Sequence, residues 1–496
     1  MTTIDPAANV TTGDVPIHHR AGMAEVSDRV APPMSVPALA LDEARPPTLA
    51  SPATRRLAAE VWALAWPAIT HMLLITTVFF TGRVLVGQHS ATGLASLQIS
   101  TTLTWTFYSL FTAFSAGTLA IVARSIGAGD RLEAARAVRG ALVFAFAAGV
   151  AVAAVFLLAN GSFLRLLFPR AETAVLLDAG AYLHVVLPLF PLAFLEATAA
   201  AALQASGDTR TPLYVAGLGS VANLGLSAVL IFGKLGFPEM GVRGAAVGAA
   251  ATMAIEGLVL TSVLLSKRSP LPVREVGWSE VGPAFRRVLK VSIPAFGEKA
   301  VYHVSYVAFV AIIGLLGAAA MAANQGLISI EAVSFLSADG LGVAAGAIVA
   351  QKLGKRRTGD AASAGWLAAG LATAMLTAFG LLFALFPRAL AAVFTEDPAI
   401  VDLGAKTLLV AAVAQPFMAF ATVIGMSLRG AGDTRTVLAV MAACSFVVRL
   451  SATWLFAVTL DLGLVGVWMG SGLDWICRAA LLGWLWRRGA WRFVTA

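Results

Sequence analysis

Apolar positions in this chain run in unbroken blocks instead of alternating with polar ones. Ala141–Leu158 and Gly365–Leu385 are examples, and Leu226–Phe232 with its flanks is another. A block of about 18 or more apolar residues is long enough to cross the ~30 Å hydrocarbon core as a helix. A helix also satisfies its own backbone groups where there is no water to do so. Broken at glycine, proline and charge punctuation, the blocks predict twelve helices, near 58–87, 92–123, 135–160, 175–204, 211–233, 241–266, 288–314, 319–351, 361–386, 400–428, 437–460 and 463–486. The expected fold class is therefore all-α and integral to a membrane, with twelve transmembrane helices.

Composition agrees. Apolar residues make up 58% of the chain and charged residues 12%, against roughly 25% charged in a soluble domain. Cys444 and Cys477 both lie inside apolar blocks and read as small packing residues, not as a disulfide or metal pair. Residues 1–50 are different. They hold Pro6, Pro16, Pro32, Pro33, Pro37, Pro46 and Pro47 with no apolar period, the composition of a disordered tail. No basic segment followed by an apolar run is present, so this is not a cleaved signal peptide. The adjacent His18 and His19 lack the clustered ligands of a metal site.

A formal charge of +8 raises the question of nucleic acid, and the position of the charges answers it. One set of alternate loops holds seventeen Lys and Arg: Arg124, Arg131, Arg136, Arg139, Arg210, Lys267, Arg268, Arg274, Arg286, Arg287, Lys290, Lys352, Lys355, Arg356, Arg357, Arg429 and Arg435. The other set holds five: Arg165, Arg170, Lys234, Arg243 and Arg388. The positive-inside rule puts the first set, and both termini, in the cytoplasm. The expected partner is the lipid bilayer of the inner membrane, with no nucleic acid, and the expected assembly is a monomer.

The chain also repeats itself. Gly207-Asp208-Thr209-Arg210-Thr211 recurs letter for letter as Gly432-Asp433-Thr434-Arg435-Thr436, 225 residues later. Pro191 pairs with Pro416 at that offset; Pro67 pairs with Pro294, Gly87 with Gly314 and Gly127 with Gly354 at 227; Gly241 and Gly244 pair with Gly463 and Gly466 at 222. A collinear series with a drifting offset points to duplication. Six helices per half make the repeat parallel, about an axis along the membrane normal. The expected plan is a tail over 1–56, a six-helix bundle over 57–266, a cytoplasmic linker over 267–287, a second bundle over 288–487 and a tail over 488–496. Two readings of GDTRT stand side by side. One is a helix–turn–helix connector, with Gly in the left-handed cap and Asp or Thr capping the next helix. The other is a gate in which Asp and Arg pair between the halves.

At these residues the chain resembles the MATE family, the multidrug and toxic compound extrusion transporters. The segments that carry the resemblance are LQASGDTRTP and LRGAGDTRT, the Pro67/Gly87 and Pro294/Gly314 pairs, ARSIGAGD and AQKLGKRRTGD, and Asn223 and Arg449. The resemblance implies a V-shaped pair of bundles exchanging inward- and outward-open states. It also implies export of organic cations or other amphiphiles in exchange for protons or sodium. The archaeal-type branch carries an acid fifteen residues after the first proline and another four after the Asn. Here those positions are Gly82 and Ser227, and no acid sits in the middle of span 10. Of that branch's site in the first half, only Asn223 carries over.

An ionisable residue inside a span is costly unless it faces a partner or a cavity. The acids so placed are Glu196, Glu256, Glu298, Glu331, Asp339 and Asp474; the bases are Arg83, Lys299, Arg449 and Arg478, with His71 also deep. Glu298 lies one turn past Pro294. Counting helical rises from the loop that spans 7 and 8 share puts Glu298 at ~24 Å and Asp339 at ~30 Å, with Glu331 shallower. Glu298 and Asp339 are therefore expected to share one pocket, in which two close carboxylates compete for ionisation. The resemblance also favours Glu298, since bacterial members carry Glu at this spacing. The repeat maps Glu298 onto His71. The primary ion-coupling or substrate candidates are Glu298, Asp339, Glu331, His71 and Asn223. Secondary candidates are Glu196, Glu256, Arg449 and Tyr302.

Simpler readings stand beside these. Lys299 pairs with Glu298 or snorkels; Asp474 and Arg478 pair at i, i+4; Arg449 holds span 11 to a neighbour or to carbonyls; Arg83 is an interfacial anchor. The aromatics Trp66, Trp105, Phe107, Tyr108, Tyr302, Tyr306 and Phe335 form a cation–π wall or simply pack. Gly244/Gly248 and Ala318/Ala322 fit close helix packing.

Three functions follow. A proton- or sodium-coupled antiporter for cationic amphiphiles is favoured by six deep acids against four deep bases. The alternative, a flippase for lipid-linked saccharides, needs bases lining its cavity. An enzyme is not expected: P-loop, H-E-x-x-H and G-x-S-x-G patterns are absent, and no cofactor is implied. Without an ATP site, an ion gradient or a partner ATPase must drive export.

Overall fold

The structure is a computed structural model that describes residues 52–159, 162–168, 172–267, 269–393 and 397–494. The proline-rich tail with His18 and His19, and Arg268 and Arg170 of the loop count, lie outside these residues. Every described regular element is helical. The first half contains α1 (Pro52–His89), α2 (Ala91–Gly127), α3 (Arg131–Ala159), α4 (Ser162–Leu167), α5 (Thr173–Val186), α6 (Phe190–Ala205), α7 (Arg210–Ile231) and α8 (Val242–Leu265). The second contains α9 (Trp278–Leu315), α10 (Ala318–Gly354), α11 (Thr358–Leu385), α12 (Pro387–Ala392), α13 (Pro398–Gly430), α14 (Thr434–Ala442), α15 (Ser451–Trp454) and α16 (Gly463–Arg488).

The twelve expected spans are all present. The fourth is α5 and α6 joined through a 3-10 turn, Leu187–Leu189. Pro188 and Pro191 each remove a backbone N–H there, which loosens the i→i−4 ladder. The eleventh is α14 and α15 linked and extended by π-helical turns, Ala443–Leu450 and Leu455–Thr459. Eleven spans pass as membrane helices on length and apolarity alone. α16 is not among them, because Asp474 and Arg478 lie in its middle.

Three boundaries differ from expectation. α1 already starts at Pro52, so helix extends into the segment assigned to the tail. α9 starts at Trp278, so the linker is shorter than 267–287, and its Leu271, Val273 and Val276 are buried. The C-terminal segment is packed down. Trp491 stacks on Trp486 with ring centroids 4.0 Å apart, and the Val494 carbonyl accepts a hydrogen bond from Arg124 at 2.8 Å. In each case the apolar content falls outside the hydrophobic block but still finds protein surface to cover.

The duplication appears in the packing. A Cβ on Gly244 would sit 2.7 Å from the Ile231 nitrogen, and one on its repeat partner Gly466 would sit 2.5 Å from the Phe456 carbonyl carbon. α8 therefore lies on α7, and α16 on the eleventh span, at a backbone-to-backbone distance only glycine permits. The side chains of Ala318 and Ala322 lie outside the described residues.

The halves meet where α1 packs on α10 and where α2 packs on α9 and α10. Gly340 of α10 abuts the Ala68 and Ile69 backbone of α1, and the Ser292 hydroxyl of α9 donates to the Phe114 carbonyl of α2 at 3.2 Å. Polar bridges gather at the end of the bundle carrying the described residues of the larger basic set, hereafter the basic end. Lys352 pairs with Glu60 at 2.8 Å and Arg136 with Glu280 at 2.5 Å, while Arg287 pairs with Glu133. The Gln351 amide donates to the Ala205 carbonyl at 2.7 Å. Halfway along α2, Ser109 and His303 approach to 3.2 Å.

Candidate functional site

The second half assembles two charged clusters. Pro294 cannot donate to the helix ladder, and one turn beyond it Glu298 is 3% exposed. Its carboxylate is clasped by Arg429 from the last turn of α13. Arg429 Nε donates to Glu298 Oε2 at 3.0 Å, and a second guanidinium nitrogen donates to Oε1. Such a two-pronged guanidinium–carboxylate pair is among the strongest polar contacts available inside a protein. The α13 terminus also favours a cation, since its last carbonyls point that way. Asp339 of α10 is half-buried and lies in the field of Lys299, Arg429 and Glu298. It has neither a hydrogen bond nor an ion pair to its side chain among the described residues.

Glu298 and Asp339 are within electrostatic reach of each other, and the composition of their surroundings differs from expectation. Arg429, counted above among the loop residues, is a member. Lys299 is within electrostatic reach of Asp339, and Glu298 is bonded by Arg429. Fully ionised, the cluster of two acids and two bases carries no net charge.

Glu331 lies two turns nearer the opposite end. Its carboxylate has no hydrogen bond among the described residues, and it acts electrostatically on Tyr302 and Tyr306 and with Arg449. The two tyrosine rings are nearly parallel, 15° apart with centroids at 6.0 Å, and Tyr302 is 36% exposed. Arg449 itself is committed elsewhere. Its Nε donates to Asp474 Oδ2 at 2.8 Å, while Arg478 Nε donates to Asp474 Oδ1 at 2.8 Å and its terminal nitrogen to Ser445 at 2.9 Å. The expected Asp474–Arg478 pair is thus a triad that fastens the eleventh span to α16, with Trp475 under both guanidinium groups.

The first half holds a different arrangement. Tyr108 of α2 donates to Glu196 of α6 at 2.8 Å, and Glu256 of α8 is within electrostatic reach of both. Among the described residues, no Lys or Arg makes an ion pair with either carboxylate. The Glu256 carboxylate lies over Gly219, where a Cβ would be 2.6 Å from Oε1. Beside it, the Asn223 amide donates to Thr252 at 3.2 Å and Ser227 donates to Asn223 Oδ1 at 3.2 Å. His71 is buried, and its Nδ1 has no partner among the described residues. Asn223 and His71 are thus not brought to the carboxylates by any described bond. The secondary candidates Glu196 and Glu256 form the pair, and only the approach of α6 and α8 reveals it.

Both GDTRT segments are connectors. Gly207 and Gly432 take φ of +92 and +90. Asp208 accepts from the Arg210 and Thr211 nitrogens at 3.2 and 2.9 Å, and Asp433 accepts from the Thr436 nitrogen at 3.3 Å. Arg210 and Arg435 point into solvent, with no Asp–Arg bridge between the two copies among the described residues. Thr434 ties the second copy to α9 by donating to the Val291 carbonyl at 2.9 Å. Of the aromatics, Tyr108, Tyr302 and Tyr306 reach the carboxylates. Trp66 and Trp105 are exposed, Phe107 packs on Phe156, and Phe335 packs near Trp475.

Comparison with known proteins matches this architecture. The MatE family model aligns twice, to residues 67–229 and 294–455, beginning at Pro67 and at Pro294. A protein described as a probable multidrug resistance protein NorM, from Thermotoga maritima, is 29% identical over 425 residues, 85% of this chain and 90% of its own. A probable NorM of Rhizobium meliloti is 29% identical over 436 residues, covering 85% and 91%. The fold superposes on the Vibrio cholerae MATE transporter VcmN with a TM-score of 0.81 at 18% identity, covering 90% of this chain and 99% of that one. A MATE family transporter solved in an outward-facing conformation gives 0.80 at 21% identity, with 87% and 95% covered. With the family model filling both halves of an all-helical, membrane-spanning bundle, the chain belongs to the MatE family of transporters.

Proposed function

We propose that this chain is a cation-coupled antiporter that exports small cationic amphiphiles from the cytoplasm across the inner membrane, with both termini cytoplasmic. The observation that carries this reading is the buried acid site of the second half. Glu298 and Asp339 lie together inside the membrane-spanning bundle, with Glu331 and the Tyr302/Tyr306 rings nearer the opposite end. An exporter of cations needs an acid that alternately holds a substrate and a driving ion, and an apolar aromatic wall suits an amphiphile. The names of the relatives, probable multidrug resistance proteins, agree with that substrate class. The asymmetry of the positive charge supports the orientation.

The bridges between the halves concentrate at the basic end, as in a transporter whose site is reached from the other side. Alternating access then requires the Glu60–Lys352, Glu133–Arg287 and Arg136–Glu280 pairs to break as the halves rock. A flippase for lipid-linked diphosphates is less well supported, because three arginines are already held by carboxylates. Arg449 and Arg478 hold Asp474, and Arg429 holds Glu298.

The test is efflux of a cationic dye such as ethidium from proteoliposomes under a proton or a sodium gradient imposed separately. One gradient should accelerate efflux. Movement of a lipid-linked saccharide in the same vesicles, with no dye efflux, would overturn the reading.

A further inference from the structure

We propose that Arg429 is a tethered competitor for the coupling cation, occupying the Glu298 carboxylate in this state and leaving it when the ion arrives. The inference rests on the coupling role assigned above to Glu298. Four observations carry it. The guanidinium engages both carboxylate oxygens, so an incoming ion cannot bind Glu298 without displacing it. The displaced group has a second acid to receive it, since Arg429 interacts with Asp339 as well as with Glu298, and no described side chain or backbone group claims the Asp339 carboxylate. Fully ionised, the cluster is neutral, so an added cation gives it a net charge of +1 and disfavours an organic cation bound nearby. That is the sign antiport requires.

The fourth observation comes from the repeat. The segment Leu428-Arg429-Gly430-Ala431 corresponds to Leu203-Gln204-Ala205-Ser206, so Arg429 takes the place of Gln204 just as Glu298 takes that of His71. The first half therefore has an uncharged Gln where the second has the guanidinium. Scaffold positions around this pair are kept and the ion pair is not, so the ion pair is an addition to the frame and not part of the connector. Arg429 also sits three residues before Gly432, and Thr434 of the same connector is bonded to α9. The exchange at Glu298 is thereby linked to the segment that joins α13 to α14.

A site held by its own arginine for a fraction of the time binds an external ion more weakly by that fraction. Removing the competitor should therefore tighten apparent ion affinity. The experiment measures the half-saturating proton or sodium concentration for dye efflux, in proteoliposomes, for the wild type, Arg429→Gln, Arg429→Lys and Glu298→Gln. For Arg429→Gln the expected result is a fall of about tenfold, as for a site otherwise free one-tenth of the time, together with slower maximal turnover because the ion is no longer expelled. Arg429→Lys keeps the charge but loses the two-pronged grip, and should fall in between. It serves as the readout if Arg429→Gln does not fold.

Wild-type ion affinity in a folded Arg429 variant would overturn the proposal, and lower thermal stability with unchanged affinity would mean a structural pair only. If Glu298→Gln itself retains ion-coupled efflux, the coupling reading fails instead. The two failures are distinct.

Discussion

Arg429 and Glu298 join α13 to α9 by two hydrogen bonds between a buried carboxylate and a guanidinium at a helix end. The pair lies between the connector that ends α13 and the proline-containing stretch of α9, so it ties a charged site to an element expected to move.

Breaking such a pair from one side costs more than removing it whole, because an unpartnered charge is left out of water. Glu298→Gln and Arg429→Gln should each lower thermal stability in detergent, by up to about 3–5 kcal/mol. The double variant should lose less than the sum. Strict additivity in this double-mutant cycle would show that the two residues do not interact.

Asp474 is the only acid bonded to two buried guanidinium groups among the described residues. Asp474→Asn leaves both with a neutral partner and should reduce folded yield more than any Glu298 variant. A loss of at least about 3 kcal/mol is expected, read by thermal unfolding of purified protein. A variant as stable as the wild type would mean that Ser445 and Met441 suffice for Arg478.

Under the proposed function, substrate contact falls to Glu331 and its two tyrosines. Glu331→Gln and Tyr302→Ala should each raise the half-saturating concentration of a cationic dye, about fivefold to thirtyfold if one ion–ring or ion–ion contact of 1–2 kcal/mol is lost. Saturation by an uncharged amphiphile should change little. Equal effects on both ligands would point to lost packing.

In the first half, Glu196 and Glu256 lie within electrostatic reach of each other, with no ion pair to a Lys or Arg among the described residues. Like charges at that distance disfavour each other, so Glu256→Gln should leave stability unchanged or increase it. A marked loss of thermal stability in this variant would show that Glu256 has a cationic partner.

The spans, the repeat and the membrane class were legible because each depends on chain-local information. Block length sets a span, an identical pentapeptide marks a duplication, and glycine before aspartate sets a cap. Pairings were legible only when local as well. Asp474 and Arg478 are one turn apart on a single helix and were anticipated as a pair. Arg449, on the neighbouring span, was read only as holding an unnamed neighbour or carbonyls.

Arg429 was placed in a loop because it precedes Gly430 and Gly432, and the last turn of α13 has no apolar pattern to separate it from the connector. Its partner lies 131 residues away in sequence, on a helix whose rotation sequence spacing does not fix. The one available signal was the replacement of Gln204 by Arg429 between the matching Leu203/Leu428 and the matching GDTRT segments of the repeat. The same blindness hid the Glu196–Glu256 pair, since α6 and α8 approach each other through tertiary packing alone.

The central claim is that the Glu298 site couples an ion gradient to export. The most direct measurement compares gradient-driven dye efflux by wild-type, Glu298→Gln and Asp339→Asn protein in the same proteoliposomes, at matched amounts of folded transporter. The account predicts that the imposed gradient accelerates efflux by the wild type and leaves Glu298→Gln and Asp339→Asn at the rate without a gradient. Full acceleration in both variants would contradict it.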